Sequence, residues 1–411
     1  MLNYKTRHAE QKILQLAKNF KIILVLGARQ VGKSTLLKHM LPDIKMFVFD
    51  PVQDLFGARQ DPDLFLNNFK SPIILDEVQF APELLAALKR KTDLNEAKGQ
   101  YFLTGSQNIN ILRSVSESMA GRVGILQLEG LTAAELSNLG EKKTWLDYYL
   151  TDPCSLIDKI KIINQNNLLN FLWQGALPGL INIDKNSITD YFYSYVSTYI
   201  ERDIRSIENI KDISNFNKFV ALTAALTGQE INASQFGRDI NVSPTTIKKW
   251  LNILLSTYQW KEIPPYHGNT IKRLSGKSKG FFCDTGLTCY LQRISSPEAL
   301  AVNPLLGSLF ETWAINDIQK QFVTLSTAPK MYHWRTSAGA EVDLLLERDG
   351  KFYPIEIKCK TNLTSKDTRG IKAFRETYPK LNIMTGLIIY AGDTCYKVND
   401  NVIALPWDGI C

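Results

Sequence analysis

The sequence predicts a multidomain α/β protein. A parallel sheet around a phosphate-binding loop comes first, then a helical middle ending in a helix-turn-helix with a wing, then a second α/β end. Three stretches carry this expectation. "KIILVLGARQVGKSTLL" at 21–37 joins an apolar run to a Gly-rich turn and a helix. "INASQFGRDINVSPTTIKKWLNILL" at 231–255 reads as two helices about a short turn. "EVDLLLERDGKFYPIEIKCK" at 341–360 alternates as two strands around Asp349-Gly350.

Size and composition set the frame. At 411 residues the chain is too long for one core. With 45% hydrophobic and 22% charged residues it has the balance of a folded soluble protein. A net charge of +7 tilts it towards anionic partners such as nucleic acid. No apolar run reaches the roughly 18 residues of a membrane helix, so no membrane partner is expected. The amino-terminal stretch is charged and amphipathic, with Ile13, Leu14, Leu16 and Ala17 on one side and no signal-peptide core, so the cytoplasm is the expected location. Six cysteines form no C-x-x-C pair and there are only four histidines, which argues against a zinc site or a disulfide framework.

Residues 1–140 form the first module. Gly27 and Gly32 let the backbone curl so that the amides of the loop through Ala28, Arg29, Gln30 and Val31 face one point. The following helix adds its amino-terminal partial charge. Lys33 would reach the β and γ phosphates of ATP, Ser34 would bind Mg2+, and Thr35 would sit by the α phosphate. About forty residues on, "SPIILDEVQ" supplies a second strand ending in two acids. Asp76 would hold Mg2+ through water and Glu77 would polarise the attacking water; the plainer reading is a strand end capping the next helix. "YFLTGSQ" ends in Thr104 and Ser106, which either sense the γ phosphate or merely shape a turn. Arg122 either reaches the nucleotide of a neighbouring subunit, which implies a homo-oligomer, or makes a surface salt bridge.

Together "GARQVGKSTLL", "IILDEVQ", "FLTGSQ" and "MAGRV" resemble the AAA ATPases of bacteria and archaea that precede an uncharacterised C-terminal domain. The resemblance covers about the first 135 residues and implies ATP binding and hydrolysis with Mg2+, but it supplies no substrate. Ala28 stands where that family usually has proline, a departure that leaves the phosphate contacts intact.

Residues 141–225 read as a helical connector. "FLWQGALPGLI" at 171–181 resembles the second-domain signature of the same family, with Ala176-Leu177 in place of glycine-phenylalanine. Tyr191, Tyr195 and Tyr199 fall at four-residue spacing, a core or interface stripe. "ERDIR" at 201–205 also resembles the family, and Arg202 and Asp203 would pair with the ATPase domain.

Residues 226–295 read as a winged helix-turn-helix. Ser234 would cap the first helix; Ser243 and Pro244 would open the second, running from Thr245 to Leu255 with Ile247, Leu251 and Leu254 or Leu255 inward. Thr245, Thr246, Lys248 and Lys249 would lie on its exposed face, and Lys272, Arg273, Lys277 and Lys279 on the wing. Such cations suit phosphate contacts. Winged helices also serve as protein-packing modules, and that alternative stands beside nucleic-acid binding.

Residues 296–411 form the last module. A helix carries Glu311; alternation puts Glu341, Asp343 and Leu345 on one strand face, and Glu356 with Lys358 on another. Glu311, Asp343 and the Glu356-Ile357-Lys358 triplet resemble the PD-(D/E)xK nuclease core of restriction-endonuclease-like folds. There, carboxylates hold Mg2+ beside the scissile phosphate and the lysine steadies the attacking hydroxide. A metal site without cleavage and a solvated hairpin of paired charges are the alternatives. The whole chain reads as an ATP-driven switch acting on nucleic acid. Its rivals are an ATPase whose C-terminal modules bind a protein, and a metal-dependent nuclease licensed by ATP.

Overall fold

Five short runs in the first part of the chain make one sheet: β1 (Ile22–Leu26), β2 (Lys45–Val48), β3 (Ile73–Asp76), β4 (Tyr101–Gly105) and β5 (Val123–Gln127). The computed structural model describes residues 4–106, 119, 121–162, 167–199, 210, 212–269, 273 and 276–410. The strands lie in the order β2-β3-β4-β1-β5 and every pair is parallel. Every residue of β1, β3 and β4 is buried. That is why these strands read as unbroken apolar runs: both their faces are covered. Among the described residues, α1 (Ala9–Asn19), α2 (Lys33–Met40), α3 (Pro62–Asn68) and α4 (Glu83–Leu94) accompany them.

Register fixes what stands at the carboxyl edge. Leu103 pairs with both Leu24 and Leu75, so Val25, Thr104 and Asp76 form the next row. The loop after β1 then begins beside the ends of β3 and β4, the edge at which parallel α/β sheets take ligands.

Two compact units result. One is Thr6–Leu131 with Ser256–Tyr258; the other comprises Thr132–Leu255 and Gln259 onward. Particular side chains tie together distant segments of the second unit. Tyr149, on the helix Trp145–Thr151, donates to the Thr385 carbonyl at 3.0 Å and packs 5.5 Å from the Tyr353 ring. Tyr266 lies in one cluster with Tyr332, Trp334, Val342, Leu345, Phe352 and Phe374.

Within this unit β6 (Lys161–Ile162) precedes a run of helix, strand, helix, helix, strand and strand: α5 (Ile213–Ala225), β7 (Gln229–Glu230), α6 (Ala233–Ile240), α7 (Pro244–Ser256), β8 (Trp260–Ile263) and β9 (Lys279–Phe282). β9 is the middle strand of an antiparallel three-stranded sheet, β7-β9-β8. α6 begins at Ala233, one residue before the expected cap Ser234. Asn232 caps instead, accepting from the Gln235 amide at 3.2 Å, because the capping side chain must belong to the half-helical residue just outside the first turn. Ser243 accepts from the Thr246 amide at 3.1 Å and caps α7 as expected.

The remainder holds α8 (Leu306–Gln321), β10 (Lys330–Arg335), β11 (Glu341–Arg348), β12 (Lys351–Lys358), α9 (Arg369–Thr377), β13 (Asn382–Ile383), β14 (Gly386–Tyr390), β15 (Tyr396–Asn399), β16 (Val402–Pro406) and β17 (Gly409–Ile410). Its sheet runs β10-β11-β12-β14-β16-β15, with β13 also on β12. β10 to β12 are antiparallel, and β12, β14 and β16 parallel. Asp349 and Gly350 have φ of 54° and 73°, so the expected Asp-Gly turn is a primed hairpin turn. Among the described residues no helix is long and apolar enough to cross a membrane.

Candidate functional site

The loop between β1 and α2 is shaped by contacts that tolerate few substitutions. Gly27 has φ of 152°, and a β-carbon there would lie 2.0 Å from the Leu128 carbonyl oxygen. Gln30 and Gly32 both have positive φ, which turns successive amides inward. Arg7, which sequence reasoning missed, braces the loop from behind. Its guanidinium is buried and donates to the carbonyls of Val31 at 3.0 Å and Glu129 at 2.7 Å. Ala28 and Val31 are buried, Arg29 half-buried, and Gln30 and Thr35 exposed.

Lys33 opens α2. Its ammonium is buried and donates to the carbonyls of Gly27 at 2.9 Å and Ala28 at 2.8 Å, so the loop curls around the cation. Burial pulls its pKa below the usual lysine range, against the opposing charges of Glu77 and Asp76. Ser34 Oγ donates to Asp76 Oδ1 at 2.8 Å and Thr104 Oγ1 donates to the same oxygen at 2.5 Å. Burial raises the Asp76 carboxyl above its ordinary value although both hydroxyls stabilise the anion. A hydroxyl and a carboxylate meeting at one point are hard oxygen donors, the chemistry Mg2+ prefers, so Ser34 and Asp76 fit the ion that ATP would carry.

Glu77 sits beyond the strand end with φ of 56°. Its amide donates to Thr104 Oγ1 at 3.0 Å, so one hydroxyl orders both acids. Gln79 donates to Glu77 Oε2 and, at 3.0 Å, to Ser106 Oγ. Gln79 stands in the quoted "DEVQ" run, two residues from Glu77, and that adjacency is the signal that could have marked it. Arg122 pairs with Asp93 at 2.6 Å on the exposed surface of its own chain, the plainer of the two readings offered for it.

The acids of the last module also come together, each paired with a lysine. Asp343 Oδ2 accepts from the Ile357 amide at 2.7 Å and from Lys358 Nζ at 3.0 Å. Lys358 also binds Glu356 Oε2 at 2.6 Å. Glu311 meets Lys279 at 3.1 Å, and Lys279 meets Glu341 at 2.5 Å. Lys279, expected on the wing facing solvent, is therefore buried on β9, because two carboxylates draw its ammonium inward. Burial raises Glu311 to about 7 and Glu356 well above the carboxylate range. Against burial, the neighbouring acids lift both Lys279 and Lys358 above the usual lysine value. Among the described residues no group of three His, Cys, Asp or Glu side chains is arranged around a point where a metal ion could sit.

Gly370 on α9 closes this cluster. A β-carbon there would lie 1.7 Å from the Glu341 carbonyl oxygen and 2.1 Å from Glu356 Oε1. Gly370→Ala is expected to lower stability by about 1–3 kcal/mol through overpacking, read as a lower thermal midpoint. An unchanged midpoint would mean that α9 can move off the acids.

The exposed face of α7 carries Thr245, Lys248 and Lys249, while Ile247, Trp250, Leu251, Ile253 and Leu254 are buried. Lys277 is exposed. Arg273 departs from its expected phosphate-facing place. Its guanidinium lies 4.6 Å from the Tyr266 ring centroid and donates to the His267 carbonyl at 2.9 Å, because cation–π attraction and a carbonyl hold it against the core. Lys272, Arg202 and Asp203 lie outside the described residues. Tyr195 and Tyr199 are buried, their rings 5.4 Å apart, as a core stripe requires.

Comparison with known proteins matches the chain in three stretches. Residues 19–137 match the model of an AAA domain, residues 165–298 a domain of unknown function (DUF8612), and residues 306–410 another (DUF4143). Two uncharacterized proteins, from Mycobacterium bovis and Mycobacterium tuberculosis, are each 26% identical over 406 residues, spanning 98% of this chain and 84% of theirs. Among solved structures, the Holliday junction branch migration motor RuvB of Thermotoga maritima is 18% identical with a TM-score of 0.29, covering 63% of this chain and 90% of its own. A signal transduction ATPase with a tetratricopeptide repeat sensor from Pyrococcus horikoshii is 13% identical with a TM-score of 0.25, covering 78% of this chain and 47% of its own. The family match together with the loop geometry, rather than these structural likenesses, carries the conclusion: the first segment of this chain matches an AAA domain and bears a P-loop, which supports ATPase function.

Proposed function

We propose that the chain binds and hydrolyses ATP with Mg2+ and uses the turnover to switch a nucleic-acid-binding winged helix. The observation that carries the first half is the hydroxyl of Thr104, which joins the magnesium carboxylate Asp76 to the backbone of the hydrolytic acid Glu77. A hydroxyl so placed can register the γ phosphate at both acids at once. Lys33 would neutralise the β and γ oxygens, Ser34 and Asp76 would hold the ion, and Glu77 would orient and accept a proton from the attacking water. The bound ion would supply charge neutralisation of the phosphates.

The second half rests on α7 and its sheet. The order helix, strand, helix, helix, strand, strand from α5 to β9 supports a winged helix. Thr245, Lys248 and Lys249 stand exposed on its second helix, and a lysine there can meet phosphate without losing packing. No nuclease step is proposed, because the acids that would hold its metal are already paired with lysines of this chain.

A gel-shift titration across salt concentrations tests this reading. Reversing both lysines, Lys248→Glu with Lys249→Glu, is expected to weaken binding of duplex DNA or RNA and to flatten the log–log salt slope by about 2. Indifference of the unaltered chain to both nucleic acids would instead favour a protein partner for this face.

A further inference from the structure

We propose that Lys279 is the resident cation of the acid cluster in the last module, and that this cluster takes no divalent metal. A magnesium or manganese site needs carboxylate oxygens left free to converge on one point. Here one oxygen of each acid is engaged by a lysine of the chain. Glu311 Oε1 and Glu341 Oε1 both bind the Lys279 ammonium, at 3.1 Å and 2.5 Å. Asp343 Oδ2 is shared by the Ile357 amide and Lys358. One oxygen of Glu356 binds Lys358, and the other lies against Gly370, where not even a methyl group would fit.

The lysine cannot simply swing away. Its backbone sits in the middle strand of a sheet, paired with Ile263 on β8 and Glu230 on β7, and its side chain is 7% exposed. Withdrawing it would strand Glu311 without its counter-charge, since Glu311 is itself largely enclosed. Three separate elements are joined by this one ammonium: β9, α8 and β11. Glu311, an acid that a nuclease would use for its metal, thereby becomes with Glu341 part of a charged fastening between the winged segment and the final sheet. The inference stands on residues of this chain alone and does not depend on the ATPase reading.

Manganese uptake by the nucleotide-free full chain, followed by the electron paramagnetic resonance of free Mn2+, tests it. The unaltered chain is expected to show no site that Asp343→Asn removes. Lys279→Met, which keeps the stem and deletes the charge, is expected to take up about one Mn2+ per chain more than the unaltered protein, and Asp343→Asn added to it should abolish that gain. Uptake by the unaltered chain that disappears in Asp343→Asn would overturn the proposal. So would a folded Lys279→Met chain that gains nothing, because some other feature would then exclude the ion. Should Lys279→Met fail to fold by circular dichroism, Lys279→Gln serves in its place, and the comparison of the unaltered chain with Asp343→Asn decides without either.

Discussion

Lys33→Ala is expected to cut ATP turnover by at least about 10²–10³-fold, the usual result of removing a charge aimed at the reacting group in an enclosed site. The lysine has two duties. In the structure its ammonium binds the carbonyls of Gly27 and Ala28 and so sets the curl of the loop. With nucleotide present it would turn to the phosphates, and the carbonyls would lose a donor they can spare only because the ligand's own charge organises the amides. Alanine removes both functions at once, so binding as well as turnover should suffer. Phosphate release under saturating ATP and calorimetric titration of nucleotide read the two effects separately. Lys33→Met, close to lysine in length, checks that lost charge rather than lost volume is responsible. Turnover surviving in both variants would remove the loop from the active site.

Glu77→Gln should separate binding from chemistry. The amide side chain matches the carboxylate in shape and can still accept from Gln79, so the left-handed turn at residue 77 and the Thr104 contact have no reason to change. What disappears is the capacity to take a proton from water. Turnover is expected to fall by about 10²–10⁴-fold while ATP affinity stays near that of the unaltered chain. Single-turnover hydrolysis combined with calorimetry measures this. Equal loss of affinity and rate would show that Glu77 holds the nucleotide instead of acting on water.

What the sequence discloses depends on how far apart the cooperating residues lie. The phosphate loop is contiguous, and so the strand, turn and helix from Ile22 to Met40 were legible from local pattern alone. Asp76 and Thr104 were legible because each closes an apolar run, and parallel strands bring run ends to one edge. The helix pair about residue 241 and the Asp-Gly hairpin were likewise spelled out by caps and turn residues. Lys279 was not. Its partners lie 32 and 62 residues downstream, and a lysine in a basic stretch looks like every other solvated lysine until the fold brings acids to it. Arg273 misled for the same reason: its destination is a pair of rings, Tyr266 and Tyr332, that no local pattern announces. The packing between distant segments of the second unit was hidden in single aromatic side chains such as Tyr149 and Tyr266, whose partners are remote in sequence.

The brace from Arg7 to Val31 and Glu129 has a practical side. It makes the phosphate loop answerable to a residue that would meet no ligand. Trimming past position 7 would strip three carbonyls of their donor. The expected symptom is a weaker nucleotide affinity in a chain whose every ligand-facing side chain is intact.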